Sequence, residues 1–69
     1  MSRVTATING APRELTEGTT LGGLLAELGL TTNGVAIAVN QRVIPRRTFA
    51  DHPLQDGDAV EIVRAVAGG

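Results

Sequence analysis

Only one stretch of this chain repeats apolar residues at helical spacing. Leu21, Leu24, Leu25 and Leu28 fall at i, i+3, i+4 and i+7, which places them on one face of one helix. The other apolar residues alternate with polar ones, run in short blocks, or stand alone between turn residues. A chain of 69 residues therefore has a single helix with which to cover whatever sheet the remainder forms. Burying the four leucines contributes roughly 6–12 kcal/mol, at roughly 1.5–3 each, before conformational entropy is subtracted. Thr19 or Thr20 supplies a hydroxyl to cap the helix start, and Gly29 takes the left-handed position that ends it. Gly22 and Gly23 each cost about 1 kcal/mol relative to Ala, so the helix depends on tertiary packing. The pair lacks the spacing of a phosphate loop and is expected to admit a close approach of helix to sheet.

Strands account for the rest. Val4, Ala6 and Ile8 alternate with Arg3, Thr5 and Thr7, the pattern of a half-buried strand, and Asn9-Gly10 suits a type I′ turn into a second strand through Leu15. Pro12 has no N–H to donate, which places that second strand at an edge. Beyond the Thr31–Gly34 loop, Val35 to Val39 is a buried strand, Asn40-Gln41 turns the chain, and Arg42-Val43-Ile44 extends as far as Pro45. Thr48 to Gln55 reads as irregular with an isolated Leu54, and Asp56-Gly57-Asp58 turns into a last strand from Ala59 to Val66. Hairpin, helix, hairpin and final strand make an α+β chain. The compact arrangement is a mixed sheet of about five strands, the last beside the first, with the helix across one face: a ubiquitin-like β-grasp. Residues 1–66 form the domain and 67–69 a flexible tail.

Several classes of function fall away. Cysteine is absent and His52 is the only histidine, which removes disulfides, thiol catalysis and clustered metal sites. Six arginines against seven acids leave no basic stripe for nucleic acid. No segment after Met1 has the length or composition of a signal or membrane span, so a cytoplasmic protein is expected. Ser2 has no base partner, and His52 stands beside Asp51 in a loop where neighbours point apart. Arg42, Arg46 and Arg47 form a small basic cluster that reads as a solvated face.

The distinctive feature is the end of the last strand, which runs without a polar linker into Ala67-Gly68-Gly69. Such an ending fits simple fraying. It also fits a tail that enters another protein's narrow site: three residues extended reach about 10 Å, and glycine lets the backbone pass where a Cβ would clash. A carboxylate there is a poor electrophile and needs activation, for instance by ATP to an acyl-adenylate that a persulfide can attack. With neither a phosphate loop nor a cysteine in the chain, ATP binding and sulfur have to come from partners.

Val35–Asn40, Val43-Ile44-Pro45-Arg46, Gln55-Asp56-Gly57-Asp58 and Val66-Ala67-Gly68-Gly69, in this order, resemble the sulfur carrier proteins of thiamin biosynthesis. Asn9-Gly10 and Thr20–Leu25 agree less specifically, and the resemblance covers nearly the whole chain. It implies that Gly69 is adenylated and converted to a thiocarboxylate, with Gly68 and Ala67 supporting the tail. It implies no bound cofactor and no catalysis by the chain itself. The partners implied are a ubiquitin-activating-like adenylyltransferase using ATP and magnesium, a sulfur donor such as cysteine desulfurase, and thiazole synthase.

Docking is expected on the sheet face away from the helix. If Val60, Ile62, Arg64 and Val66 point mostly to the core, Val63 and Ala65 stand exposed near the tail, and Val63, Ala65 and Arg64 become candidates for partner binding. Glu61 narrows that patch. Alternatives are the small subunit of molybdopterin synthase, a carrier for another sulfur-containing metabolite, and a non-covalent interaction module.

Overall fold

A computed structural model describes residues 2–64. The tail boundary after residue 66, and the candidates Ala65, Ala67, Gly68 and Gly69, lie outside the described residues. The elements are β1 (Arg3–Ile8), β2 (Ala11–Thr16), α1 (Leu21–Glu27), β3 (Val35–Val39), β4 (Arg42–Ile44), a 3-10 helix (Arg46–Asp51) and β5 (Ala59–Arg64). The strands form one sheet in the order β2-β1-β5-β3-β4. β1 and β5 run parallel, and the other neighbours are antiparallel. This is the mixed five-stranded sheet with one main helix expected from the element order.

Both hairpins turn on residues with positive φ. Asn9 (52°) and Gly10 (87°) join β1 to β2, and Asn40 (52°) and Gln41 (71°) join β3 to β4. Each two-residue loop fixes its register, Ile8 opposite Ala11 and Val39 opposite Arg42. Pro12 lies opposite Thr7 on the outermost strand, β2, where a missing N–H does least harm.

The Thr20 hydroxyl caps α1 by accepting from the Gly23 N–H at 3.1 Å, which resolves the choice between Thr19 and Thr20. Leu21, Leu24 and Leu25 are fully buried against Val4, Ala6, Ile37 and Val60 of the sheet core. Leu28 is the C-cap and only half-buried, so three leucines rather than four carry the full burial energy. Gly29 follows with φ +75°, the left-handed position that ends the helix.

Two expectations are corrected. Thr48 to Gln55 is not merely irregular: the 3-10 helix ends at Asp51 and buries Phe49, and Leu54 enters the core at 2% exposure. The segment also meets the start of α1. The Leu21 N–H donates to the His52 carbonyl at 3.0 Å, and the Leu54 N–H donates to the Thr19 carbonyl at 2.8 Å. A lone aromatic followed by a lone leucine has no period that marks such a structure. Second, the close approach at Gly22 is to the 3-10 helix and not to the sheet, since a Cβ there would meet the Ala50 Cα at 3.5 Å.

Asn9 has a second role. β1 and β5 pair only as far as Ile8 opposite Val60, with the Asn9 N–H donating to the Val60 carbonyl at 2.8 Å. One step further along β5, the Asn9 side chain replaces a strand residue. Its Oδ1 accepts from the Ile62 N–H at 2.8 Å, and its Nδ2 donates to the Ile62 carbonyl at 3.2 Å. A side-chain amide thus extends the ladder by one peptide unit. Asn40 acts similarly at the start of β5, accepting from the Ala59 N–H at 3.0 Å and donating to Asp58 Oδ1 at 3.0 Å.

Two predictions follow from this packing. A Cβ at Gly23 would be in ordinary contact with Thr20 Oγ1 (3.5 Å) and Thr19 Cγ2 (3.6 Å), so Gly23→Ala should stabilise the fold by about 0.5–1 kcal/mol. Chemical denaturation at unchanged m checks this, and a lower midpoint contradicts it. Asn9→Gly keeps the turn but removes the side-chain amide. It should cost about 1 kcal/mol and speed hydrogen exchange at the Ile62 amide while the amides of β3 stay protected; unchanged Ile62 exchange contradicts the assignment.

Candidate functional site

β5 is the last described element and lies in the middle of the sheet, between β1 and β3, so whatever follows Arg64 leaves from a central strand. The side chains of β5 alternate. Val60 is buried and Ile62 half-buried on the helix side, while Glu61 and Val63 face away from the helix and are exposed. From Val60 to Val63 the expected division of the strand is the observed one, and Ala65 and Val66 lie outside the described residues. Arg64 follows the phase of Val60 and Ile62 but lies at the end of the sheet and is exposed.

Val63 is 64% exposed and pairs across the strands with Ala36, and Glu61 pairs with Ala38, which on its other side pairs with Val43. These residues line a shallow, mostly apolar depression of about 190 Å³ on the helix-free face. A second depression of about 220 Å³ joins Val63 to Ala36, Gly34 and Arg46. Small alanines on the central row let a partner's side chains approach the backbone, and Glu61 supplies one carboxylate within an otherwise apolar patch. The structure therefore brings Val63 into a continuous surface. It places the Arg64 side chain elsewhere, in a depression with Leu30, Asn33 and Val35, so Val63 and Arg64 do not share a face.

Among the described residues the most exposed large apolar side chain is Val43, at 80%, which the sequence did not single out. The signal was present: a two-residue turn at Asn40-Gln41 puts Val43 opposite Ala38, out of phase with the buried Ile37 and Val39. A lone exposed valine is ordinary, but two valines on one apolar depression form a patch.

Most of the charged residues fall into three groups. Arg3 pairs with Glu14 at 2.7 Å and Arg13 with Glu27 at 3.4 Å, both on the β2 side. Asp56 and Asp58 are committed to loops: Asp56 accepts from the Thr5 N–H at 2.7 Å and Asp58 from the Gln55 N–H at 2.9 Å. Arg42, Arg46 and Arg47 are exposed and make no ion pair among the described residues, as a solvated basic cluster would.

No chemistry converges elsewhere among the described residues. No group of three or more His, Asp or Glu side chains is placed to hold a metal. Ser2 is exposed, and the His52 side chain, near Asp51, makes no hydrogen bond among the described residues. A larger depression, about 620 Å³ and open, lies at the start of β5, the end away from Arg64; its Asn40 and Asp58 bond to each other. No helix among the described residues is long and apolar enough to cross a membrane.

Comparison with known proteins agrees with this geometry. The ThiS family model matches residues 6–69. The sulfur carrier protein ThiS of Thermus thermophilus is 44% identical over 62 residues, spanning 90% of this chain and 95% of that protein. A thiazole synthase of Magnetococcus marinus is 40% identical over 62 residues, 90% of this chain but 19% of the longer protein. The crystal structure of the thiamine biosynthesis protein ThiS from Geobacter metallireducens superposes with a TM-score of 0.79 at 30% identity, covering 96% of this chain and all of that one. With its central β5, its apolar sheet face and a family match that runs through the final glycine, the chain belongs to the ThiS family.

Proposed function

We propose that this ThiS-family chain, a sulfur carrier protein of thiamin biosynthesis, carries its sulfur on the α-carboxyl of Gly69. A partner adenylyltransferase, using ATP and magnesium, joins AMP to that carboxylate and releases pyrophosphate. A persulfide, supplied by a cysteine desulfurase or an equivalent donor, then attacks the carbonyl and expels AMP. The product is an acyl disulfide; a second thiol on the partner attacks the sulfur that the partner holds, the S–S bond breaks, a partner disulfide forms, and Gly69 leaves as a thiocarboxylate whose sulfur passes to thiazole synthase. The chain is the substrate and carrier of these steps and catalyses none of them, and the steps belong in the cytoplasm. Gly68 and Ala67 let the tail pass through a narrow entrance, since glycine adds no Cβ and alanine only a methyl group.

The observation that carries this reading is the family match through Gly69, which includes the Gly-Gly tail as well as the globule. The Magnetococcus thiazole synthase supports the choice of acceptor, because a segment similar to this chain lies within that polypeptide. The helix-free face supports a docking role. Val63 and Val43 over Ala36 and Ala38 form the apolar centre, and Arg64 and Ala65, which follow Val63 in the sequence, stay candidates for partner binding.

Purified chain, cognate adenylyltransferase and ATP test the reading through ATP–pyrophosphate exchange. Deleting Gly69 should abolish exchange, and exchange that persists contradicts the assignment of the reacting group. Val63→Asp places a charge on the docking face at a solvent-exposed position. It should lower kcat/KM for the carrier on the order of tenfold, about 1.4 kcal/mol, with little change in melting temperature. Unaltered turnover would remove the docking face from the account.

A further inference from the structure

The two edges of β5 differ beyond Ile62. Toward β3 the pairing continues to the last described residue, Arg64 opposite Val35. Toward β1 it stops early, because β1 ends at Ile8 and the Asn9 side chain closes the ladder at Ile62. The N–H and C=O groups of successive strand residues point to opposite edges. Val60 and Ile62 both bond toward β1, so Arg64, two residues on, presents its N–H and C=O to that same side. There the chain has already turned away at Asn9-Gly10, and among the described residues no strand pairs with Arg64 on that edge.

The other two edges of the sheet are guarded. The outer strand β2 carries Pro12 and the ion-paired Arg13 and Glu14. At the opposite edge, β4 is three residues long and stops before Pro45. Proline, charge and short length are the usual means of preventing strand addition. At the stem of the tail no proline follows Val63, and the charge of Arg64 is the one such device in the sequence there.

We propose that the open edge at Arg64 is a strand-addition site, where an extended segment of the enzyme that activates the tail pairs its main chain with the Arg64 N–H and C=O. This rests on the reading of Gly69 as the activated group. A tail rich in glycine offers a slot little but its backbone, and each N–H or C=O drawn out of water is costly unless paired. Pairing that begins at Arg64 satisfies those groups from the stem onward. Five residues separate Arg64 from Gly69 in the sequence, and a segment of that length reaches about 17 Å when extended at ~3.4 Å per residue. The added strand thus fixes both the direction and the phase in which the tail enters.

Arg64→Pro tests this directly. It deletes the edge N–H at a position where the fold does not use it, and Arg64→Ala controls for the side chain. In ATP–pyrophosphate exchange, Arg64→Ala, which keeps the main-chain N–H, sets the KM against which Arg64→Pro is read. Arg64→Pro should raise KM for the carrier about fivefold or more, about 1 kcal/mol, with kcat little changed. If Arg64→Pro melts lower than Arg64→Ala, a fully synthetic chain with an ester oxygen in place of the Arg64 N–H decides, and the same KM increase is expected. KM values equal to that of Arg64→Ala in the proline or, where it decides, the ester chain overturn the proposal. So does sedimentation showing a wild-type dimer that Arg64→Pro abolishes, because the edge would then serve a second copy. Absence of exchange in wild type is the distinct result that fails the Gly69 reading, and the strand-addition site falls with it.

Discussion

The parallel pairing of β1 with β5 is the constraint on which the rest depends. It inserts the last strand between β1 and β3, so the final part of the chain is laid into the middle of a sheet whose other strands precede it. The register is held less by long strands than by side chains acting as backbone. Asn9 clasps Ile62, Asn40 clasps Ala59, and Asp58 ties Asn40 to Gln55. Under the proposed function the chain beyond Arg64 needs a fixed root. In this chain the root is a strand paired on both sides to Ile62, and on the β3 side as far as Arg64.

A core of aliphatic residues and one phenylalanine holds that platform because the chain covers its sheet twice. α1 buries three leucines, and the 3-10 helix adds Phe49 beside it, with Leu54 closing the gap. The same covering sets which sheet face stays bare. Ala36, Ala38, Val43 and Val63 are exposed or partly exposed because both helical segments pack on the other face.

Much of this was legible in the residues. The leucine spacing marked α1, Asn9-Gly10 and Asn40-Gln41 marked the hairpins, and the alternation of β5 separated Val60 from Val63. The 3-10 helix was not legible, because Phe49 and Leu54 are single apolar residues with no period, and their burial is settled by packing against α1. Nor was the part played by Gly22, since its neighbour, Ala50, lies in that same segment. The exposure of Val43 needed register, which pattern alone supplies only once the turn length is known. The Asn9 clasp on Ile62 was beyond sequence altogether, being a contact between residues 53 positions apart. The tail reading came from resemblance and from carboxyl chemistry, and the family match extends over the same residues.

The central claim is that sulfur resides on the terminal carboxyl of this chain. The most direct measurement is an intact and fragment mass spectrum of the chain after incubation with its adenylyltransferase, ATP and a sulfur donor. The account predicts that one oxygen is exchanged for sulfur and that the change maps to Gly69. An unmodified Gly69 in an assay shown to be active with another carrier, or sulfur located on any other residue, would contradict it.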